Sequence, residues 1–150
     1  MILAAALMIA ASPADGWTTY SNARFAFSLC YPASVFRAGR PPDNGDGLSF
    51  GARDGATLAA WGSNDALDRG LAGEQALAES DRKGVTYRAK GGNWFALSGK
   101  TGARIFYRKT FLSDGRFVSF ELSYPAGSAL RYTPIVTRMQ KCFRYGKTPF

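Results

Sequence analysis

From about residue 24 onward, alternating apolar and polar positions dominate the chain and predict strands more often than helices. Arg24-Phe25-Ala26-Phe27-Ser28-Leu29 places Phe25, Phe27 and Leu29 on one face of a strand. Tyr31-Pro32 ends it, because proline cannot donate to a sheet ladder. Residues 40–47 are a loop by their proline, asparagine, aspartate and glycine content. Residues 48–53 and 56–61 read as two strands joined at Asp54-Gly55, a two-residue hairpin signal. Ser63-Asn64-Asp65 offers N-cap chemistry, and helical spacing of Leu67, Leu71, Ala76, Leu77 and Ala78 predicts a helix over 73–82, ended by Lys83-Gly84. Strands over 85–90, 94–98, 104–112 and 116–124 follow, separated by short glycine-containing breaks that suit an antiparallel meander. In the last of these, Val118, Phe120, Leu122 and Tyr124 form an apolar face. Thr133-Pro134 reads as an N-cap with proline at the first helical position, ahead of an Ile135, Val136, Met139, Phe143 stripe with Arg138, Lys141 and Arg144 outside. The predicted fold is α+β: an antiparallel sheet of about six to seven strands flanked by two main helices, as one domain over 17–146 with a tail at 147–150.

The N-terminus follows a different pattern. Residues 1–11 are an uncharged apolar run, and Ser12-Pro13-Ala14 puts small residues at a cleavage-like position. This reads as a secretory signal over 1–14 and predicts a periplasmic or secreted protein. The positively charged flank of such signals is missing, since the first charged residue is Asp15. A buried helix or strand of the domain is the alternative. A membrane span is not expected, because eleven apolar residues fall short of the roughly twenty required.

Charge changes the picture more than overall composition does. Residues 43–81 hold eight acids against Arg53 and Arg69, whereas from Arg82 onward fourteen basic residues face only Asp114 and Glu121. Such asymmetry predicts a bipolar surface with one face attractive to anions. Interleaved Tyr87, Trp94, Phe106 and Tyr107 suggest nucleic acid, but export argues against that partner and the strand pattern sends many of these rings to the core. An anionic envelope component or a protein is the partner expected, with Arg88, Arg104, Arg108 and Lys109 as the candidate anion-binding face. Arg104 and Arg108 share strand parity. A solvated basic face without a ligand remains the alternative.

The chain contains no histidine, which excludes Ser-His-Asp and Cys-His catalysis and histidine-ligated metal sites. No cofactor, metal site or catalytic residue is expected. A carboxylate-pair hydrolase with Glu121 facing a cleft stays open as an alternative, although Ser119 and Ser123 share the parity of Glu121 and a polar outer face accounts for it equally. A secreted inhibitor or immunity-type protein is a further alternative. The loop at Asp43-Asn44-Gly45-Asp46-Gly47 lacks the alternating oxygen ligands of a calcium loop. Cys30 and Cys142 stand at opposite ends of the predicted fold, and an oxidising compartment favours their disulfide over two separate buried thiols.

The order of elements, opened by Phe25-Ala26-Phe27-Ser28-Leu29-Cys30-Tyr31-Pro32, resembles the PsbP/Mog1/DcrB-like group. The resemblance covers about residues 17–143 and implies an α/β/α sandwich around an antiparallel sheet. Members of that group serve as photosystem accessory subunits, nuclear-transport cofactors and envelope lipoproteins, mostly without catalysis. Where the group commonly carries a tryptophan after Tyr-Pro, this chain has Val35-Phe36. The resemblance therefore implies a non-enzymatic accessory domain and carries over no functional residue.

Overall fold

Strand β1 (Trp17–Asn22) pairs antiparallel along its whole length with β2 (Phe27–Pro32). The turn between them puts Ala26 at a positive φ of 53°, so the strand expected from Arg24 begins only at Phe27. Phe25, Phe27 and Leu29 are all buried as the alternation requires, but Phe25 points inward from the turn. Its ring lies against the backbone of Gly62, where any side chain would collide with it. Pro32 is the last paired position of β2, opposite Trp17, so the strand ends at Tyr31-Pro32 as expected. The computed structural model describes residues 15–146; the expected signal at 1–14 and the tail at 147–150 lie outside the described residues.

The main sheet contains β3 (Phe36–Ala38), β4 (Gly47–Ala52), β5 (Thr57–Asn64), β6 (Val85–Lys90), β7 (Trp94–Thr101), β8 (Arg104–Ser113) and β9 (Arg116–Pro125). All neighbours are antiparallel, in the order β3-β4-β5-β9-β8-β7-β6. The expected hairpins are present: Gly55 takes φ +87° in the β4–β5 turn, and Asp114 and Gly115 take φ 55° and 70° in the β8–β9 turn. Both left-handed turns match the residues that bear such geometry at low cost. The three-residue strand β3 and the polar strand β1 offered no alternation from which to predict them.

One helix lies on each face of this sheet. Helix α1 (Gly70–Ser80) packs Ala78 against Phe95, Leu97 and Phe106. It starts three residues before the expected Gly73, because the Asp65 carboxylate accepts the amides of Arg69 at 2.8 Å and Gly70 at 2.9 Å. Helix α2 (Ala129–Cys142) seats Ile135, Val136 and Met139 on the opposite face, against Leu58, Ala60, Phe120 and Leu122. A short strand β10 (Arg144–Tyr145) then pairs with β2 and completes a second, three-stranded sheet. A disulfide joins Cys30 in β2 to Cys142 at the end of α2, with Cα atoms 5.8 Å apart.

Helix α2 departs from expectation. It begins at Ala129, and Pro134 sits inside it instead of at its first position. A mid-helix proline removes one backbone bond at a cost of about 3 kcal/mol. The added turn offsets this by burying Tyr132 completely, stacked on Tyr124 with ring centroids 4.9 Å apart. The Thr133 and Thr137 hydroxyls donate to the carbonyls of Ala129 and Thr133 across the same stretch.

The Tyr132 hydroxyl donates to Asp54 Oδ2 at 2.6 Å and ties α2 to the β4–β5 turn. Burial first, then this bond, push the Tyr132 phenol up to about 12. The same bond leads the causes that hold the Asp54 carboxyl below its usual range. The folded state thus favours the neutral phenol. Its contribution is complete below the unfolded-state value of about 10 and is lost as pH rises toward 12. The Asp54 contribution has the opposite sense: it is present above about pH 4 and lost as pH falls below that. In chemical denaturation followed across pH, Tyr132→Phe is expected to flatten part of the alkaline decline. Tyr107 and Tyr124, both raised by burial, contribute to what remains. An alkaline limb identical to that of the parent protein would rule out the coupling.

Candidate functional site

Strands β6, β7 and β8 come from a stretch, residues 82–113, with eight Lys or Arg residues and no Asp or Glu. Every carboxylate that meets these cations therefore arrives from another element. Glu74 and Glu79 come from α1, and Glu121 comes from β9.

Arg88, Leu97, Arg108 and Glu121 stand in one cross-strand row on the face that α1 covers. At its centre Arg108, with only 12% of its side chain exposed, donates to Glu74 Oε1 at 3.2 Å and to Thr110 Oγ1 at 3.0 Å. The guanidinium lies 5.1 Å from the Trp61 ring centroid and 5.7 Å from that of Phe95. Burial pushes the Arg108 pKa down, and the Glu74 and Glu121 charges oppose that shift. Glu74 also accepts from Arg69 at 3.1 Å, Thr110 shares a 2.8 Å hydrogen bond with Ser119, and Arg82 is paired with Glu121. The side of β9 expected to be a polar outer face is thus a nearly closed charged layer beneath a helix.

Of the other expected anion-binding residues, Arg88 is exposed and donates to Glu79 at 2.7 Å. Arg104 donates to Ser123 Oγ and to the carbonyls of Gly55 and Ser123, which staples the β4–β5 turn to β9. Lys109 has the opposite strand parity and lies on the other face, its ammonium 4.2 Å from the Trp94 ring centroid. Burial lowers its pKa. Three of the four residues therefore share one face, and each already holds partners within the chain. The cations of the meander without a carboxylate partner, among the described residues, are Lys83, Lys90, Lys100, Arg104 and Lys109. The first three are exposed around the free edge strand β6, beside Tyr87, itself 54% exposed. Lys83, Lys90 and Lys100 lie outside the expected anion-binding set, although the acid-free stretch that carries them is visible in the sequence.

Glu121 and Glu74, the acids nearest to a catalytic arrangement, both face guanidinium donors. The Asp43–Gly47 loop is closed by Arg24, which bonds the Asn44 carbonyl and pairs with Asp46, and by the Asn44 amide on Asp46 Oδ2 at 2.7 Å. Among the described residues no group of three or more potential metal-ligating side chains converges, and no helix is long and apolar enough to cross a membrane.

No protein-family model and no curated protein matches the sequence. Solved structures do match it in shape. Cyanobacterial PsbP (CyanoP) from Synechocystis sp. PCC 6803 is 13% identical with a TM-score of 0.65, and the alignment covers 96% of this chain and 99% of that one. The Ran-binding protein Mog1p of Saccharomyces cerevisiae is 11% identical with a TM-score of 0.57, covering 86% and 95% of the two chains. A Bacteroides thetaiotaomicron protein is 15% identical with a TM-score of 0.54, covering 86% of this chain and 48% of its own. Identities this low speak to architecture and not to activity. By sheet topology, helix placement and these similarities, the chain has the PsbP/Mog1-like fold.

Proposed function

We propose that this protein is a non-enzymatic accessory domain, exported to the periplasm or beyond, that binds an anionic partner through the outer strands of its meander. That partner is an envelope component bearing negative charge or an acidic protein surface. The observation that carries this reading is the acid-free stretch from Arg82 to Ser113. Three of its arginines are neutralised by carboxylates from α1 and β9, which leaves Lys83, Lys90 and Lys100 to face outward around β6. Lysines on a free sheet edge also discourage pairing with another copy, so one arrangement serves solubility and anion attraction together.

Support for export comes from the signal-like start and from the Cys30–Cys142 disulfide, a bond that persists in oxidising compartments. Support for a binding role comes from the fold, which is shared with a protein described as Ran-binding. Glu121, the acid a carboxylate-pair hydrolase would use here, and Glu74 are both engaged by arginine side chains.

Co-sedimentation with phosphatidylglycerol-containing vesicles tests the reading, with phosphatidylcholine vesicles as the reference. Each surface lysine near an anionic membrane contributes about 1 kcal/mol. The triple change Lys83→Gln, Lys90→Gln and Lys100→Gln is therefore expected to weaken binding about 100-fold. Binding should also fall steeply between about 50 and 300 mM salt as screening shortens. Affinity that ignores both salt and the triple change would refute a basic docking face.

A further inference from the structure

The opposite edge of the main sheet carries a cavity of about 650 Å³. Arg37 from β3, Arg53 from the β4–β5 turn and Arg131 from the first turn of α2 line it, with Ser34 and Asp54. We propose that this cavity binds a phosphate group, held by the three arginines. The site is independent of the lysines around β6.

Charge balance is the first argument. Three arginines line the cavity with a single carboxylate, Asp54, and that carboxylate is already engaged. Asp54 accepts the Ala56 amide at 3.0 Å on Oδ1 and the Tyr132 hydroxyl at 2.6 Å on Oδ2, whereas Arg131 reaches Oδ2 only at 3.5 Å. Arg37 and Arg53 have no carboxylate partner among the described residues. Like charges gathered on a concave wall raise the local concentration of anions.

Preorganisation is the second. Each arginine adjoins a fixed point of the fold. Arg37 follows the buried Phe36, Arg131 precedes the fully buried Tyr132, and these two rings are in contact with centroids 6.2 Å apart. Arg53 adjoins Asp54, which Tyr132 holds by its hydroxyl. The Phe36–Tyr132–Asp54 chain therefore sets the spacing of all three arginine-bearing backbones, although their side chains reach solvent. Binding then orders only the side-chain ends, which limits its entropic cost.

Chemistry selects the ligand. A guanidinium fork binds an oxyanion through two parallel N–H donors, and three forks around one site suit a tetrahedral phosphate better than the two oxygens of a carboxylate. Ser34, in the same lining, carries a hydroxyl that can serve as a further donor. The cavity has the volume of an ordinary ligand pocket, so it also has room for what the phosphate is attached to.

The test uses the full chain in phosphate-free buffer. Thermal unfolding is followed with inorganic phosphate, with sodium chloride at matched ionic strength, and with phosphatidylcholine vesicles doped with phosphatidic acid. Phosphate is expected to raise Tm by several degrees beyond the chloride control, because a ligand that binds only the folded state stabilises it. The double change Arg37→Gln and Arg53→Gln should weaken phosphate binding at least tenfold, while Lys90→Gln with Lys100→Gln leaves it unchanged. A free phosphate ligand predicts the full effect from inorganic phosphate alone. A headgroup ligand predicts tighter binding to doped vesicles that is likewise lost in the arginine double variant. An equal shift with chloride, or full binding by that variant in both arms, would overturn the proposal.

Discussion

Replacing Glu74 by alanine is expected to destabilise the protein by about 3–5 kcal/mol, the cost of leaving a buried charge without its partner. Glu74 and Arg108 have 11% and 12% of their side chains exposed, so water substitutes poorly for the missing carboxylate. Arg108 would keep its bond to Thr110 and the more distant Glu121 charge but lose its one direct carboxylate partner, and Arg69 would lose its contact in the same step. Helix α1 depends on this pairing more than on apolar contact, since Glu74 and Ala78 are its only buried residues. For a domain of this size the loss corresponds to a Tm lower by roughly 10–20 °C. The decisive comparison is the double variant Glu74→Ala with Arg108→Met, which removes both charges. It should recover most of the lost stability, because a buried ion pair replaced by apolar groups is often close to neutral. If the double variant is as unstable as the single, the helix contact and not the charge is what matters.

Breaking the disulfide should have a comparable effect by a different route. Cys30 and Cys142 are 112 residues apart, and closing so long a loop lowers the entropy of the unfolded chain by the equivalent of about 4–5 kcal/mol in the chain-entropy model. The measured loss in the double variant Cys30→Ala and Cys142→Ala is expected at about 2–4 kcal/mol, within the typical range. The bond also holds the end of α2 against β2, next to the Phe143 ring that stacks on Phe27 and Phe111. Reductant should lower the urea midpoint of the parent protein and leave the alanine variant unmoved. A midpoint insensitive to reductant in both would show that the bridge contributes nothing to folding.

Local rules located much of this fold. Strand β6 spans Val85–Lys90 as its alternation predicts, and β7, β8 and β9 differ from expectation only at their ends. These segments were legible because each is bounded by turn residues whose preferred backbone geometry is intrinsic, such as Asp54-Gly55 and Asp114-Gly115. Strands β1, β3 and β10 were not legible, because short or polar strands exist only through the partners that pair with them. The first turn of α2 is hidden from local rules for a related reason. Pro134 marks a helix start by local rules, and the burial of Tyr132 against Tyr124 outweighs the broken backbone bond.

The sequence by itself determined the strand-rich α+β character, the hairpin positions, the absence of histidine chemistry and the segregation of acids from bases along the chain. Only the tertiary structure decided which cations remain free. Arg108 and Glu74 are 34 residues apart, and Arg82 and Glu121 are 39 apart, so no local pattern pairs them. The same is true of Arg37, Arg53 and Arg131, which lie on three elements and line one cavity because Phe36, Tyr132 and Asp54 lock together beneath them. Coulomb energy depends on separation in space and on burial, neither of which is written at the level of neighbouring residues.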